Sequence, residues 1–391
     1  MPRPLIIIFL TIFVNLVGFG IIIPLLPFYA ETFGASPLVI GLLFAVFSLC
    51  QLVAAPLLGD LSDRYGRRPV LIFSLAGTVV SFVMLALAHN LLMLFAARIV
   101  DGLSGGNIST ARAYVADVTE PKDRARAYGL IGAAFGLGFI LGPALSGVLA
   151  QYSYTAPIWA AAAITVVATA MAWLWLPETV HRAHAGTGNP FSYLPGLLRR
   201  PVVRRVLGID FFYWFAFAIF QTTFALFVAR RFGFDATHTG YFLAAFGVLG
   251  AMIQGGLIRP IVRRLGDKPT FMLGLMCAAV GLSLSAFTHS VTIFAMTLVP
   301  VAFGIGFGHP TMSSLVSQVA RGDEQGRVQG AASAVESLGR TLGPVWGSAS
   351  LQHLGESTPY VSAALVLLLT LVLSVGFHVR ESSDELKLSA G

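Results

Sequence analysis

The chain has 391 residues, of which 56% are hydrophobic and only 11% charged, and its mean hydropathy is +0.80. Soluble domains carry about 25% charged residues, so this chain lacks the surface a soluble core needs, and lipid is the expected solvent. The formal net charge of +7 does not mark a nucleic-acid partner, because the basic residues sit in short loops between apolar runs.

A membrane helix needs about 20 mostly apolar residues, since its backbone polar groups must be satisfied internally. Twelve such runs follow one another along the chain. Six lie near 5–30, 38–59, 70–89, 91–116, 127–151 and 155–177. Six more lie near 206–230, 238–259, 269–288, 291–318, 327–351 and 359–379. The first run, Leu5 to Tyr29, is too long for a signal-peptide core and reads as a retained span. Cys50 and Cys277 fall inside separate apolar runs, which argues against a disulfide or a metal site; no metal or cofactor is expected.

Basic loop charge sets orientation. Of the 25 Lys and Arg residues, Arg98, Arg112 and Arg340 lie inside spans, and Arg230 and Arg231 lie at one outer loop. All the others fall on a single side if the chain crosses twelve times. That side is expected to be the cytoplasm, holding both termini of a multi-pass protein of the cell's inner membrane. The only long loop divides the chain into an N-terminal six-helix bundle (1–177), a cytoplasmic linker (178–205), a C-terminal six-helix bundle (206–380) and a cytoplasmic tail (381–391). The linker reads as a solvated tether with a short surface helix at Ser192–Arg199.

The two halves repeat. Gly66, Arg68 and Pro69 recur as Gly266, Lys268 and Pro269, and His89 as His289, an offset of 200. Arg126, Gly129, Gly138, Gly142 and Pro143 recur as Arg327, Gly330, Gly339, Gly343 and Pro344, an offset of 201. Five positions of restricted type at one spacing argue for duplication. Two six-span halves that start and end on the same side make parallel repeats, an arrangement similar to that of major facilitator transporters, which bind substrate near the midplane between halves.

Four motifs extend that resemblance over nearly the whole chain. The loop after the second span, Gly59-Asp60-Leu61-Ser62-Asp63-Arg64-Tyr65-Gly66-Arg67-Arg68, resembles the family signature G-x-x-x-D-R-x-G-R-R at every position. The resemblance implies a cytoplasmic gate of Gly59, Asp63, Arg64, Gly66, Arg67 and Arg68. On physical grounds Gly59 permits close helix approach, Asp63 suits a neighbouring helix N-terminus, and Asp117 is the best partner for the arginines, with Arg112 nearby. The second-half copy is degraded, with Arg263 in place of the acid. The fifth span, with Gly129, Gly138, Gly142, Pro143 and Gly147, resembles the antiporter motif G-x8-G-x3-G-P-x2-G-G, with Ser146 replacing one glycine. The resemblance implies drug/proton exchange rather than uptake; a plain glycine-rich packing helix is the alternative. The first span, Asn15 to Pro27, resembles that of tetracycline/proton antiporters, except that Asn15 stands where they usually carry aspartate. Arg98-Ile99-Val100-Asp101-Gly102 resembles R-x-x-Q-G, with Asp101 in place of glutamine.

Charges inside the membrane cost about 2.5–3.5 kcal/mol each at a helix centre. Asp101 lies mid-span with Arg98 three residues before it, on one helical face. Glu336 lies near the middle of the eleventh span with Arg340 four residues later. Each pair is either a proton-coupling switch or a permanently ionised structural pair. Asp210 sits near the cytoplasmic end of the seventh span, where snorkelling is the plainer reading. Asn15, Gln51, Asn107, Gln221, Gln254 and His309 are polar groups in apolar spans, and together with Phe135, Phe139, Tyr213, Trp214 and Phe246 they are candidate cavity residues.

These readings converge on an all-α polytopic membrane protein with the major facilitator fold, twelve transmembrane helices in two six-helix bundles. The expected function is secondary active transport: a proton-coupled antiporter exporting small amphipathic drugs, tetracycline-like or multidrug, by alternating access. An uptake symporter for a sugar or other metabolite is the alternative. No G-x-x-x-x-G-K-[ST] loop is present and no nucleophile constellation suggests an enzyme. The expected partners are a small-molecule substrate, protons and the lipid bilayer, with the chain a monomer.

Overall fold

The computed structural model describes residues 3–105, 107–119, 124–179, 194–320 and 324–376, leaving aside the side chains of 3, 4, 107–109, 116, 124–133, 135 and 194. The first half comprises α1 (Arg3–Glu31), α2 (Pro37–Tyr65), α3 (Arg67–Ala86), α4 (Leu91–Ser104), α5 (Asn107–Val118), α6 (Arg124–Ala150) and α7 (Ala156–Trp175). A short α8 (Leu194–Leu198) precedes the second half. That half comprises α9 (Pro201–Phe232), α10 (Ala236–Met252), α11 (Ile258–Leu265), α12 (Asp267–Phe287), α13 (Val291–Gln318), α14 (Gln325–His353) and α15 (Thr358–Val375). Asn107, Gly129 and Phe135 are therefore described by backbone alone, and residues 180–193 of the linker and 377–391, with the 381–391 tail, lie outside the described residues.

These helices make twelve crossings. Two crossings are interrupted. α4 and α5 form one crossing broken at Gly105, and α10 and α11 form another through a π-helical turn at Ile253–Leu257. The sequence reading placed both as unbroken spans. Gly105-Gly106 weakens the first helix; Gly255-Gly256 loosens the second, and Pro260 removes a donor just beyond. Among the described residues nine helices are long and apolar enough to cross a membrane. The remaining crossings are the broken α4–α5 and the glycine-rich α6 and α14.

Local chemistry sets the ends. Asn90 Oδ1 accepts from Met93 N at 2.9 Å to start α4, and Asp235 Oδ1 accepts from His238 N at 2.8 Å to start α10, as N-caps do. Gly66 (φ 106°) joins α2 to α3, and Gly266 (φ 87°) joins α11 to α12, a left-handed corner that only glycine takes easily. The repeat is thus written in the backbone as well as the sequence.

Within each half, α1 packs on α6 and α7 and α3 on α4 and α7; correspondingly α9 packs on α14 and α15, and α12 on α13 and α15. Two seams join the halves, α2 against α14 and α6 against α10, related by the same two-fold logic. Glycine makes both possible. A Cβ on Gly142 would sit 2.6 Å from Gly20 Cα, and one on Gly343 would sit 2.7 Å from Phe215 O. Across the seams, a Cβ on Gly41 would sit 2.5 Å from Pro344 O, and one on Gly240 would sit 2.7 Å from Pro143 O. Small residues let backbones touch where lipid supplies no hydrophobic drive. Gly41, Gly147, Gly240 and Ser348 all lie toward the end of the bundle remote from both chain termini, where Leu38 N also donates to Gln352 Oε1 at 3.0 Å.

Candidate functional site

Three charged regions stand out. At the end of the bundle nearest the termini, Arg67 joins the signature loop to α5 by donating from Nε to Asp117 Oδ2 at 3.2 Å; it also pairs with Asp63 and donates from Nη1 to Ser62 Oγ at 2.6 Å. Arg64 pairs with Asp60 on its own helix at 3.0 Å. Among the described residues Asp63 accepts from no helix N-terminus, the place its sequence position suggests, and pairs with Arg67 instead. Glu178, arriving from the end of α7, takes that place: Arg67 N and Arg68 N donate to its two carboxylate oxygens at 2.9 and 3.1 Å. Gly66 is favoured here by its φ of 106°, and its missing Cβ leaves room for the Glu178 carboxylate. Arg68 donates from Nη2 to Trp173 O. Gly59 has nothing within 4 Å of a Cβ placed on it, so it mediates no close approach in this arrangement.

Arg112 also differs from expectation. Five residues separate it from Asp117, which turns the two about 140° apart on a helix, and no ion pair joins them among the described residues. Its side chain is exposed, and its charge reaches His309 and Glu336 in the other half. The sequence reading placed it with the gate; it belongs to the space between halves.

The second region is the Arg98–Asp101 pair. Arg98 Nη1 donates to Asp101 Oδ2 at 2.8 Å, with both residues buried. The guanidinium lies over the Phe47 ring at 4.2 Å, a cation–π contact. Gly102 lets this stretch press against α2, where a Cβ would lie 2.5 Å from Phe47 O. One turn on, Gln51 Nε2 donates to Gly105 O at 2.9 Å, satisfying a carbonyl freed by the helix break.

The third region is a shallow recess in the second half, lined by Asp210 and Trp214 of α9, His309, Met312, Ser313 and Val316 of α13, and Gln329, Ala332 and Glu336 of α14. Arg340 lies behind it, over the Trp214 ring at 5.4 Å, and His309 meets Trp214 edge-on at 5.4 Å. Asp210, Glu336 and Arg340 are within electrostatic reach of one another. Yet Arg340 makes no tight ion pair among the described residues. Its Nη2 donates to Ser337 Oγ at 3.3 Å, and its Nε, like Asp210 Oδ2, is buried with no hydrogen-bond partner among the described residues.

Of the predicted cavity residues, the recess brings together Trp214 and His309, and it adds Glu336, predicted for proton coupling. Tyr213 instead fills the second bundle's core, wedged against Gly308 and Phe271. Phe246 packs on Phe220 and Phe139 on Phe19. Asn15 has a buried Nδ2 without a hydrogen-bond partner among the described residues, Gln221 is half-buried, and Gln254 sits in the π-helical turn. Sequence reasoning undervalued Asp210 and missed Glu178. The signal for Asp210 was the start of the seventh helix: the helix begins at Pro201, not near 206, which moves residue 210 a turn deeper.

Two parallel-repeat bundles with embedded charges and a recess toward the end nearest the termini define a membrane transporter fold. Residues 8–344 and 257–390 match the profile of the Major Facilitator Superfamily, and the chain belongs to that family. It is 36% identical over 345 residues to the class G tetracycline resistance protein of Vibrio anguillarum, covering 86% of this chain and 87% of that protein. It is 29% identical over 384 residues to multidrug resistance protein 2 of Bacillus subtilis, covering 95% and 94%. Its fold is similar to the crystal structure of the human organic anion transporter MFSD10 (TETRAN), with a TM-score of 0.75, 26% identity and coverage of 96% and 100%.

Proposed function

We propose that this chain is a secondary active transporter that exports small amphipathic drugs, tetracycline-like or multidrug, in exchange for protons. The observation that supports it most is the open recess of Asp210, Trp214, His309 and Glu336 with Arg340 behind. It places acids that can hold a proton beside the Trp214 ring, an aromatic surface against which a drug can pack. In this reading Asp101 with Arg98 and Glu336 with Arg340 couple the proton. Gly59, Asp63, Arg64, Gly66, Arg67, Arg68 and Asp117 form the gate, and the antiporter glycines Gly138, Gly142 and Gly147 are the surfaces on which helices rock.

The chain works as a monomer, with bundles at 1–177 and 206–380, a linker at 178–205 and both termini cytoplasmic. The seams at the far end then close the external side, and the arrangement described faces inward. Asn15 is an amide that does not ionise, so either coupling uses other acids or the substrate differs from a metal–tetracycline complex. Reconstitution in liposomes under an imposed pH gradient, with tetracycline, cationic dyes and sugars as probes, tests the reading. Gradient-driven drug flux is expected; proton-driven sugar uptake without drug flux would overturn it in favour of a symporter.

A further inference from the structure

Coupling as read so far leaves Asp210 unused. Asp210 and Glu336 lie nine and eleven residues beyond the first residues of α9 and α14. A rise of 1.5 Å per residue sets both about 15 Å in from the same end. Asp210 is 1% exposed, borders the recess, and has an Oδ2 with no hydrogen-bond partner among the described residues. The charged and titratable groups facing it are Tyr213 on its own helix, Glu336 and Arg340 from α14, His309 from α13 and, beyond Glu336 and His309, Arg112 from α5. Two carboxylates therefore share one neighbouring guanidinium. A buried unpaired charge is costly, and Arg112 is exposed on the open side, where water screens it.

We propose that Asp210 and Glu336 hold one exchangeable proton between them, so that Asp210 is a second proton-carrying residue of the recess. The inference rests on the proton-coupled reading above. Like carboxylates in one site titrate as a unit. With the proton bound, the cluster is neutral; with it gone, one negative charge opens onto the recess. Either acid made neutral leaves its partner balanced by Arg340, with no proton to exchange.

Trp214 reports on this directly. In a protein whose other tryptophans (159, 173, 175 and 346) are phenylalanine, Trp214 fluorescence is followed across the pH range in which the protein stays folded. One titration is expected in this parent. It should vanish in Asp210→Asn and in Glu336→Gln, and persist in Asp210→Glu and His309→Gln. A parent without any titration, an Asp210→Asn variant that titrates like the parent, or a signal that vanishes only with His309→Gln overturns the proposal. In liposomes, Asp210→Asn should lose at least tenfold in gradient-driven flux yet retain substrate counterflow without a gradient, which also shows that it folds. If the parent itself shows no gradient-driven flux of any probe, the coupled-transport reading fails, whatever the fluorescence does.

Discussion

The two embedded charge sites use the same residue types and end up in opposite conditions. In the first half one arginine meets one acid at 2.8 Å, under a phenylalanine ring, with both partners buried. In the second half one arginine stands near two acids and makes a tight ion pair with neither, beside an open recess. The difference is stoichiometric. A one-to-one pair is complete, so a proton can reach Asp101 only by displacing Arg98. A two-to-one cluster is incomplete, so a proton can bind without breaking anything. The second site can exchange in the arrangement described, whereas the first needs a rearrangement of α2 against α4 to release its arginine.

The sharpest way to break this comparison is to remove half of the closed pair. Asp101→Asn leaves Arg98 buried without its counter-charge, and such losses cost about 3–5 kcal/mol. The expected result is a variant that unfolds far below the parent in detergent thermal denaturation. Replacing both partners by apolar residues, Arg98→Met with Asp101→Leu, should recover most of the stability, because a well-packed apolar pair is often neutral to folding. Gradient-driven flux should stay lost in that double variant. Recovered flux would reduce the pair to a structural role. Glu336→Gln, by contrast, leaves Asp210 facing Arg340 and should fold normally, with its loss confined to coupling.

The second comparison is between the repeats themselves. Gly142 and Gly343 occupy equivalent positions and each touches backbone. Leucine at either should cost about 1–3 kcal/mol by overpacking and do so equally, read as matched falls in melting temperature. Alanine at Gly59, with nothing within 4 Å, should change stability by no more than about 0.5 kcal/mol. This half of the architecture was legible in the sequence because glycine spacing and apolar run length are one-dimensional signals. What escaped was long-range or local in backbone. Glu178 reaches Arg67 across 111 residues, a pairing no spacing announces. The breaks at Gly105 and Ile253–Leu257 do not alter the hydropathy of their spans. Asp210 was misjudged because its helix starts about a turn earlier than hydropathy suggests, Pro201 to Arg205 being too basic to count as apolar.

The smallest effect expected is at the near-end cluster, where the gate reading and a capping reading part. Glu178 accepts from two backbone amides at the start of α3, a place where a carboxylate is favoured by both hydrogen bonding and the helix dipole. Glu178→Ala should therefore cost about 1 kcal/mol of stability, measured as a modest fall in melting temperature. Asp63→Asn touches only the pair with Arg67, in which the Asp63 carboxylate is open to water, and water-screened pairs contribute about 0–1 kcal/mol, so its melting temperature should barely move. If Asp63 nevertheless acts in gating, its variant keeps the parent's stability but loses flux, while Glu178→Ala loses a little of both. A variant pair in which stability and flux fall together at both positions would make the whole cluster a structural corner, with Glu178 as its cap.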